Sequence, residues 1–149
     1  MIRKIVTIGD PVLTKIAAPV TKFDRKLRKL ISDLYHTMVS ANGAGLAAPQ
    51  IGISLRVCIT DNNAENGFVL INPEIIKQEG SQVAEEGCLS IPGVRILMER
   101  PYSITVKYVL ADETPVKLDA FGLDARVICH EVDHLDGKLI TDYVVEALK

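Results

Sequence analysis

The segment Gly122–Leu135 has the sequence GLDARVICHEVDHL, and the spacing of its apolar residues predicts a helix. At about 100° per residue, His130 and His134 lie on one face of this helix, together with apolar side chains. Ile128 and Val132 lie on the opposite face, so both sides of the helix are predicted to be buried in the middle of the domain. Buried histidines need a chemical role, because unpaired polar groups are costly to desolvate.

The same helix carries the pattern HExxH in His130, Glu131 and His134. Two imidazoles one turn apart can bind one metal ion, and the glutamate between them can reach the water that the metal holds. A metal lowers the pKa of that water to roughly 7, and the glutamate can accept its proton. The pattern therefore predicts a hydrolytic metal site with Glu131 as its general acid and base. The alternative is a structural helix with a chance pair of histidines.

A catalytic metal usually has a third protein ligand. Beyond the turn that ends the helix, the only carboxylates are those of Asp142 and Glu146 near the chain end, so an upstream ligand is favoured. Cys58 and Cys129 are interpreted as small core residues. Cys88 differs from both, because it lies in the polar stretch EEGCLSIPG and follows a glycine that permits a close approach of the backbone.

The rest of the chain predicts an α+β fold, in which mostly antiparallel strands pack around a buried C-terminal HExxH helix. Residues 24–41 predict an N-terminal amphipathic helix whose apolar stripe consists of Leu27, Leu30, Ile31, Leu34 and Met38. Strands are predicted at residues 55–60, 68–71 and 73–77, with a turn at 61–63 between the first two. Residues 102–110 predict a hairpin that returns through Val116 and Leu118, and residues 142–149 predict a last short turn.

The composition is typical of an ordinary soluble globular protein, with 48% hydrophobic and 24% charged residues among 149. We interpret residues 1–149 as a single catalytic domain. The formal net charge is -2 and no long basic stripe occurs, which argues against sequence-specific nucleic-acid binding. No apolar run suits a membrane span or a signal sequence, and the three cysteines form no disulfide framework. We therefore expect a cytoplasmic protein without a membrane partner.

Three segments of the chain follow one another in a distinctive order: GAGLAAPQ at residues 43–50, EGCLS at 86–90 and HEVDH at 130–134. Together they resemble the three signature motifs of the peptide deformylase family. The resemblance spans nearly the whole chain, from DPVL at residues 10–13 to LDGKL at 135–139. Three motifs in this order are far more specific than the HExxH pattern alone.

The resemblance implies a hydrolase that removes the N-formyl group from the initiator formyl-methionine of nascent polypeptides and releases formate. It implies one divalent metal, Fe(II) in vivo with Zn, Ni or Co as substitutes, whose ligands are Cys88, His130 and His134. The side-chain amide of Gln50 and the backbone N–H of Leu89 would stabilise the oxyanion. Glu131 would deprotonate the attacking water and later protonate the leaving amine. The implied partners are formyl-methionyl peptides, nascent chains and, transiently, the ribosome.

The predicted substrate-binding residues are Ala44, Gly45, Arg95, Leu123, Arg126 and Val127. Ala44 is smaller than the usual aliphatic residue of the family, and Arg126 replaces an apolar residue of the pocket for the methionine side chain. We expect Arg126 to turn away from that pocket toward Asp133, because a long arginine stem can keep its charge solvated. Arg95 is either near the peptide backbone of the substrate or a solvated strand residue. Asp133 is expected to pair with an arginine, for which Arg100 is the candidate.

Two alternative functions come from different classes of protein. One is an HExxH metallopeptidase that cuts internal peptide bonds, against which Cys88 and Gln50 argue. The other is a non-catalytic structural zinc domain. Such a domain would need a fourth protein ligand and would leave Glu131 without a role.

Overall fold

The computed structural model of the chain describes residues 1–61 and 68–147. Its helices are α1 (Arg25–Ser40), α2 (Gly122–Leu135) and α3 (Ile140–Ala147), with short 3-10 helices at Pro11–Thr14 and Ala48–Ile51. Its strands are β1 (Gly45–Ala47), β2 (Val57–Thr60), β3 (Phe68–Glu79), β4 (Gln82–Cys88), β5 (Ile91–Arg100), β6 (Ser103–Val109) and β7 (Pro115–Phe121). The predicted turn at residues 61–63 extends outside the described residues. Within them, no helix has the length and apolar character needed to span a bilayer.

The strands form two antiparallel sheets, so the fold is a mixed α/β fold with antiparallel sheets and a C-terminal helix. The larger sheet has the strand order β1-β2-β3-β6-β7. Its last pair is the predicted hairpin, in which Val106 faces Leu118 and Tyr108 faces Val116. β3 is longer than the two predicted strands that it contains, because the chain passes Pro73 with a register shift between Ile71 and Glu74 instead of ending there.

The smaller sheet, β4–β5, was not predicted, although Arg95 was considered as a strand residue. The alternation of buried apolar residues that identifies a half-buried strand is missing in β4. In β4 the single buried side chain is that of Glu86, and the apolar side chain of Val83 is exposed. The side chain of Leu97 in β5 is exposed as well. β4 therefore buries a charged side chain where an ordinary strand buries an apolar one, whereas β5 buries Ile91 and Met98.

α1 begins after Asp24, whose side chain accepts a hydrogen bond from the backbone N–H of Leu27 at 3.1 Å. Its buried side chains pack against β2 and β3 in a cluster that includes Leu27, Leu30, Leu34, Met38, Val57, Ile59 and Ile71. The other face of α1 carries charged, exposed residues. The helix thus covers the part of the sheet that lies behind the loop at residues 43–50.

α2 packs on the face of the large sheet opposite to α1. The helix has the predicted range. The buried cluster at this interface includes Cys58, Leu70, Val106, Ala120, Ala125, Ile128, Cys129, Val132 and Leu135. The interpretation of Cys58 and Cys129 as core residues is confirmed. Gly137 ends the helix with φ of 73°, and a Cβ there would lie 2.6 Å from the backbone oxygen of Thr14. Glycine is therefore required at this position.

The histidine-bearing face of α2 differs from the prediction. The sequence predicted that apolar residues would be buried on both sides of the helix, but the side chain of Leu123 is 64% exposed. This face opens into a cleft with a volume of about 730 Å³, which lies between α2, the β4–β5 hairpin and the loop at residues 43–50.

Candidate metal and catalytic centre

Cys88, His130 and His134 meet at the base of this cleft. Among the described residues, they form a group of three potential metal ligands whose donor atoms all lie within 4.8 Å of one another. Cys88 Sγ lies 3.3 Å from His134 Nε2, and the two imidazole centroids are 5.0 Å apart. The HExxH spacing accounts for the two histidines, because residues four apart share one helix face. Cys88 reaches them from the end of β4.

The donor set suits a divalent metal, because one thiolate and two imidazoles are the ligand types that zinc and iron prefer. A hydrogen bond of 3.0 Å between His130 Nδ1 and Glu86 Oε1 leaves the other ring nitrogen free for a metal. Within the described part of the chain, Glu131 Oε1 and His134 Nδ1 are buried without a hydrogen-bond partner. Buried polar atoms rarely lack partners, and Glu131 borders the ligand cluster, so its unpartnered oxygen fits a site that accommodates a further group.

Burial dominates the electrostatics of Glu131 and His134. Burial raises the pKa of Glu131 to about 7, although the neighbouring His130 opposes this shift. Burial also lowers the pKa of His134 to about 3, which keeps its imidazole neutral and able to bind a metal. Both groups are therefore uncharged or close to titration near neutral pH, as hydrolytic chemistry requires.

Glu86 receives hydrogen bonds from three other buried side chains. Arg100 binds it through two nitrogens, at 2.9 and 2.8 Å, and Arg126 Nη1 lies 2.5 Å from Oε2. The third partner is His130, as described above. Burial alone would raise the pKa of Glu86, but the hydrogen bonds from Arg100 and His130 lower it to about 2. The carboxylate is therefore ionised and fixed behind the histidine.

Asp133 pairs with Arg100, as the sequence predicted, through a contact of 2.6 Å. It also accepts a hydrogen bond of 2.6 Å from the hydroxyl of Tyr143 on α3. The expectation that Arg126 turns toward Asp133 with a solvated charge is wrong. The Arg126 side chain is 7% exposed and binds Glu86 instead, because Glu86 is the carboxylate that β4 buries against this part of α2.

Gln50 lies beside the three candidate ligands and is 1% exposed. Its Oε1 accepts a hydrogen bond from the backbone N–H of Ala47 at 3.0 Å. Its Nε2 donates to Ser90 Oγ at 3.1 Å and is 3.7 Å from Cys88 Sγ. The orientation of the amide is thus determined by Ala47 and Ser90, and one N–H group faces the donor cluster.

Gly45 lies against the carboxylate of Glu131. A Cβ at this position would be 2.6 Å from Glu131 Oε2 and 2.9 Å from its Cγ. Only glycine lets the backbone of β1 pass at this distance. The glycine therefore makes room for the carboxylate that faces the cleft.

The predicted substrate-binding residues all line the cleft: Ala44, Gly45, Arg95, Leu123, Arg126 and Val127. Leu89, Gln50, Cys88, His130 and Glu131 line it as well, whereas His134 lies beneath them, 2% exposed. Leu123 is at the rim. Arg95 is 64% exposed and lies 3.4 Å from the equally exposed Glu85, so its side chain is solvated on β5.

The roles of Glu86 and Ser90 were not predicted from the sequence. Both lie in the EGCLS segment, but their partners are far away in the chain: His130 is 44 residues from Glu86, and Gln50 is 40 residues from Ser90. A signal was available, since Glu86 directly precedes Gly87-Cys88 and a carboxylate commonly orients a metal-ligating histidine.

Comparisons with known proteins identify the family of the chain. Residues 2–149 match the family model described as polypeptide deformylase. The peptide deformylase of Dictyoglomus thermophilum is 49% identical over 98% of this chain and 95% of its own length. That of Acidobacterium capsulatum is 46% identical over 100% of this chain and 89% of its own length.

Solved structures match equally well. The peptide deformylase from Thermotoga maritima has a TM-score of 0.92 and 45% identity, covering 95% of this chain and 97% of that one. The Met-Ala-Ser-bound class I type b peptide deformylase from Acinetobacter baumannii has a TM-score of 0.92 and 35% identity, covering 95% and 99%. Since sequence and fold agree over nearly the full length, the chain belongs to the peptide deformylase family of hydrolases.

Proposed function

We propose that this chain removes the N-formyl group from the initiator formyl-methionine of nascent polypeptides at a metal centre held by Cys88, His130 and His134. Family membership supports the reaction. The single observation that supports this site most strongly is that the three donor atoms lie within 4.8 Å of one another. Beside them, Glu131 Oε1 is buried without a hydrogen-bond partner among the described residues. The alternative readings as an internal peptidase or a structural zinc domain lack comparable support.

The metal at this site is Fe(II) in the proposed enzyme, with Zn, Ni or Co as functional substitutes. Bound there, a divalent cation supplies Lewis acidity that activates water at neutral pH and polarises the formyl oxygen. The ligand set alone accommodates both iron and zinc. The choice of iron therefore rests on the resemblance to the family, and metal analysis of anaerobically purified protein tests it.

Glu131 is the proposed general base and acid. Its carboxylate lines the cleft beside His130, and Oε1 has no hydrogen-bond partner in the described part of the chain. An oxygen in this state is available to accept a proton from the attacking water and to return it to the leaving amine. Positioned proton transfer of this kind contributes roughly 100- to 10,000-fold to a rate.

The proposed oxyanion donors are the side-chain amide of Gln50 and the backbone N–H of Leu89. A primary amide has two N–H groups, and Gln50 uses one for Ser90. The other faces Cys88 Sγ at 3.7 Å, a distance too long for a strong bond, and can turn to a developing negative charge. One such donor is worth roughly 3 kcal/mol of transition-state stabilisation.

The methionine side chain of the substrate occupies the cleft between the loop with Ala44 and Gly45 and the face of α2 with Leu123 and Val127. These residues are small or apolar, which suits a thioether side chain. The stem of Arg126 completes this wall. Arg95 on β5 is free to contact the peptide backbone of the substrate, because its exposed pair with Glu85 is weak.

The wider setting of the reaction is part of the proposal. Residues 1–149 act as one catalytic domain in the cytoplasm, where nascent chains are made, and contact the ribosome transiently. Co-sedimentation of the protein with ribosomes that carry short nascent chains, at moderate ionic strength, tests the last point. Absence from the ribosome pellet in that assay would remove it.

The decisive experiment is formate release from formyl-Met-Ala-Ser by anaerobically purified protein, with metal analysis of the same sample. Stoichiometric metal and formate support the proposal. Cleavage only of an N-acetylated peptide at an internal bond would support the peptidase instead. Loss of both metal and fold on Glu131→Gln, rather than loss of turnover alone, would support the structural zinc domain.

A further inference from the structure

The proposed metal site is assembled from two parts of the fold that belong to different sheets. Cys88 ends β4 of the two-stranded sheet, whereas His130 and His134 lie on α2, which packs on the five-stranded sheet. The two sheets share no strand. The distance between the thiol and the imidazoles therefore depends on how the β4–β5 hairpin is held, both by the apolar contacts of Ile91 and Met98 with Leu139 and Ile140 and by side-chain contacts with α2.

The side chain of Arg126 spans the contact between α2 and the β4–β5 hairpin, which we call the junction. Arg126 lies on α2, and its side chain is 7% exposed. Its Nη1 is 2.5 Å from Glu86 Oε2. The guanidinium also donates, at 3.3 to 3.4 Å, to backbone carbonyls on both strands of the hairpin, those of Gln82, Ala84 and Met98. One side chain thus connects α2 to β4, to β5 and to the carboxylate that holds His130.

Arg126 also completes the set of donors on Glu86. A carboxylate has about four lone-pair sites. Oε1 accepts from Arg100 Nη2 and His130 Nδ1, and Oε2 accepts from Arg100 Nε and Arg126 Nη1. All four sites are occupied, so the carboxylate has no alternative orientation that keeps its partners. Without Arg126, Oε2 would have a free site and His130 a less defined acceptor.

Among the four side chains joined by the ion pairs of Glu86 and Asp133 with arginine, two cations face two anions when Arg126 is present. The cations are Arg100 and Arg126, and the anions are Glu86 and Asp133. A neutral side chain at position 126 would leave an excess negative charge among groups that are mostly buried, which is strongly unfavourable. The arginine therefore does more than fill a wall of the cleft.

We propose that Arg126 is a positioning residue of the metal centre, which holds the Cys88-bearing hairpin against α2 and fixes His130 through Glu86. The inference rests on the proposed metal site. It assigns the guanidinium of Arg126 to the assembly of the ligand set rather than to recognition of the methionine side chain.

The test compares Arg126→Met and Arg126→Lys with the wild-type protein under anaerobic conditions. The dissociation constant for Co(II) is measured by competition with a chelator, and the thiolate-to-cobalt absorption band reports whether Cys88 is bound. Loss of residues that orient metal ligands typically weakens binding by 10- to 100-fold, and we expect roughly tenfold for Arg126→Met with a weaker thiolate band. Arg126→Lys keeps the charge but not the planar fork, so a smaller loss is expected.

Arg56→Met is the matched control. Arg56 binds the backbone oxygen of Leu135 at 2.9 Å and Asp136 at 2.8 Å, at the other end of α2. Its loss removes an arginine–carboxylate pair from the same helix without touching Glu86 or the hairpin. We expect a lower free energy of unfolding for this variant but an unchanged Co(II) dissociation constant.

Several outcomes would overturn the proposal. One is a Co(II) affinity of both Arg126 variants equal to that of the wild type, and another is an equal loss in Arg56→Met. A third is a rise in KM for formyl-Met-Ala-Ser at unchanged Co(II) affinity, which would assign Arg126 to the methionine pocket. If Arg126→Met does not fold, Arg126→Lys decides alone. If the wild-type protein shows no thiolate-to-cobalt band, the proposed metal site itself is wrong. If the wild-type protein shows the band, the variants test only the role of Arg126.

Discussion

The two sides of the cleft are built by different kinds of interaction. α2 is held on the five-stranded sheet by apolar side chains such as Ile128, Val132 and Leu135. On the opposite side, β4 buries Glu86, and the contacts of the hairpin with α2 run through arginine–carboxylate pairs and backbone carbonyls. The helix side is therefore a packed core, and the hairpin side is a polar junction.

This difference shows that apolar packing and hydrogen bonding contribute differently to the site. Apolar packing is tolerant of small changes but gives no direction to an individual imidazole. A fully hydrogen-bonded carboxylate does give direction, at the cost of desolvating several charges. Replacing a single polar side chain on the helix side should therefore change the rate of the reaction. Replacing a side chain at the junction should change both the free energy of unfolding and metal affinity.

The largest expected effect comes from Glu131→Gln on the helix side. Glutamine keeps the shape of the side chain but cannot accept and return a proton, so kcat should fall by roughly 100- to 10,000-fold. Formate release and metal analysis measure this change. Metal content and unfolding temperature should match the wild type. Turnover within tenfold of the wild type would mean that another group moves the proton.

At the junction, Glu86→Gln should lower the free energy of unfolding by about 3–5 kcal/mol, because it leaves buried guanidinium groups without their shared anion. Urea denaturation at a fixed free metal concentration measures the loss. The control is Glu85→Gln one residue away, where the pair with Arg95 is 64% exposed on both sides and should contribute less than about 1 kcal/mol. Equal losses in the two variants would contradict a special role of the junction.

A smaller effect is expected for Gly45→Ala, which tests how closely the loop side approaches the helix side. The new Cβ would lie 2.6 Å from Glu131 Oε2, so the carboxylate must move. Displacement of a catalytic group costs up to roughly 100-fold in rate, and we expect a 10- to 100-fold lower kcat with unchanged metal affinity. Gly87→Ala is the control, since its Cβ would make only ordinary van der Waals contacts, with Arg95 Nη1 at 3.4 Å and the backbone oxygen of Val94 at 3.6 Å. Similar kinetics for the two variants would argue against the steric explanation.

The smallest effect is expected at a charged cluster away from the cleft. Asp33 on α1 is buried and accepts hydrogen bonds from Lys29 at 2.9 Å and Arg3 at 3.1 Å. These bonds, that from Lys29 first, hold the pKa of Asp33 well below its ordinary value of 3.8. A lowered pKa stabilises the fold at neutral pH, and this contribution is lost as the pH falls below that ordinary value.

Asp33→Asn should therefore reduce the free energy of unfolding by about 1 kcal/mol at neutral pH, since solvent screens the exposed Lys29. The difference from the wild type should shrink as the pH is lowered from about 5 to about 3. Urea denaturation across this range measures it. Co(II) affinity should not change, and a loss of affinity here would mean that the junction is not the region that controls the metal site.

The difference between the helix side and the hairpin side also explains which features of the fold and the site could be predicted from the sequence. The HExxH helix, the β6–β7 hairpin and the core positions of Cys58 and Cys129 were predictable, because each depends on local periodicity or composition. The β4–β5 sheet was missed, because the one buried side chain of β4 is a glutamate. The partner of Arg126 was predicted wrongly, because helix angles cannot say which of two carboxylates a neighbouring strand brings within reach.

The sequence by itself determined the HExxH helix, the order of the three motifs and hence the family, because these are properties of short segments. Only the tertiary structure decided that the end of β4 places Cys88 3.3 Å from His134 and that Glu86 orients His130. These contacts join residues 44 and 46 positions apart in the chain. They depend on strand register and on how the hairpin packs against α2, and no local pattern encodes either.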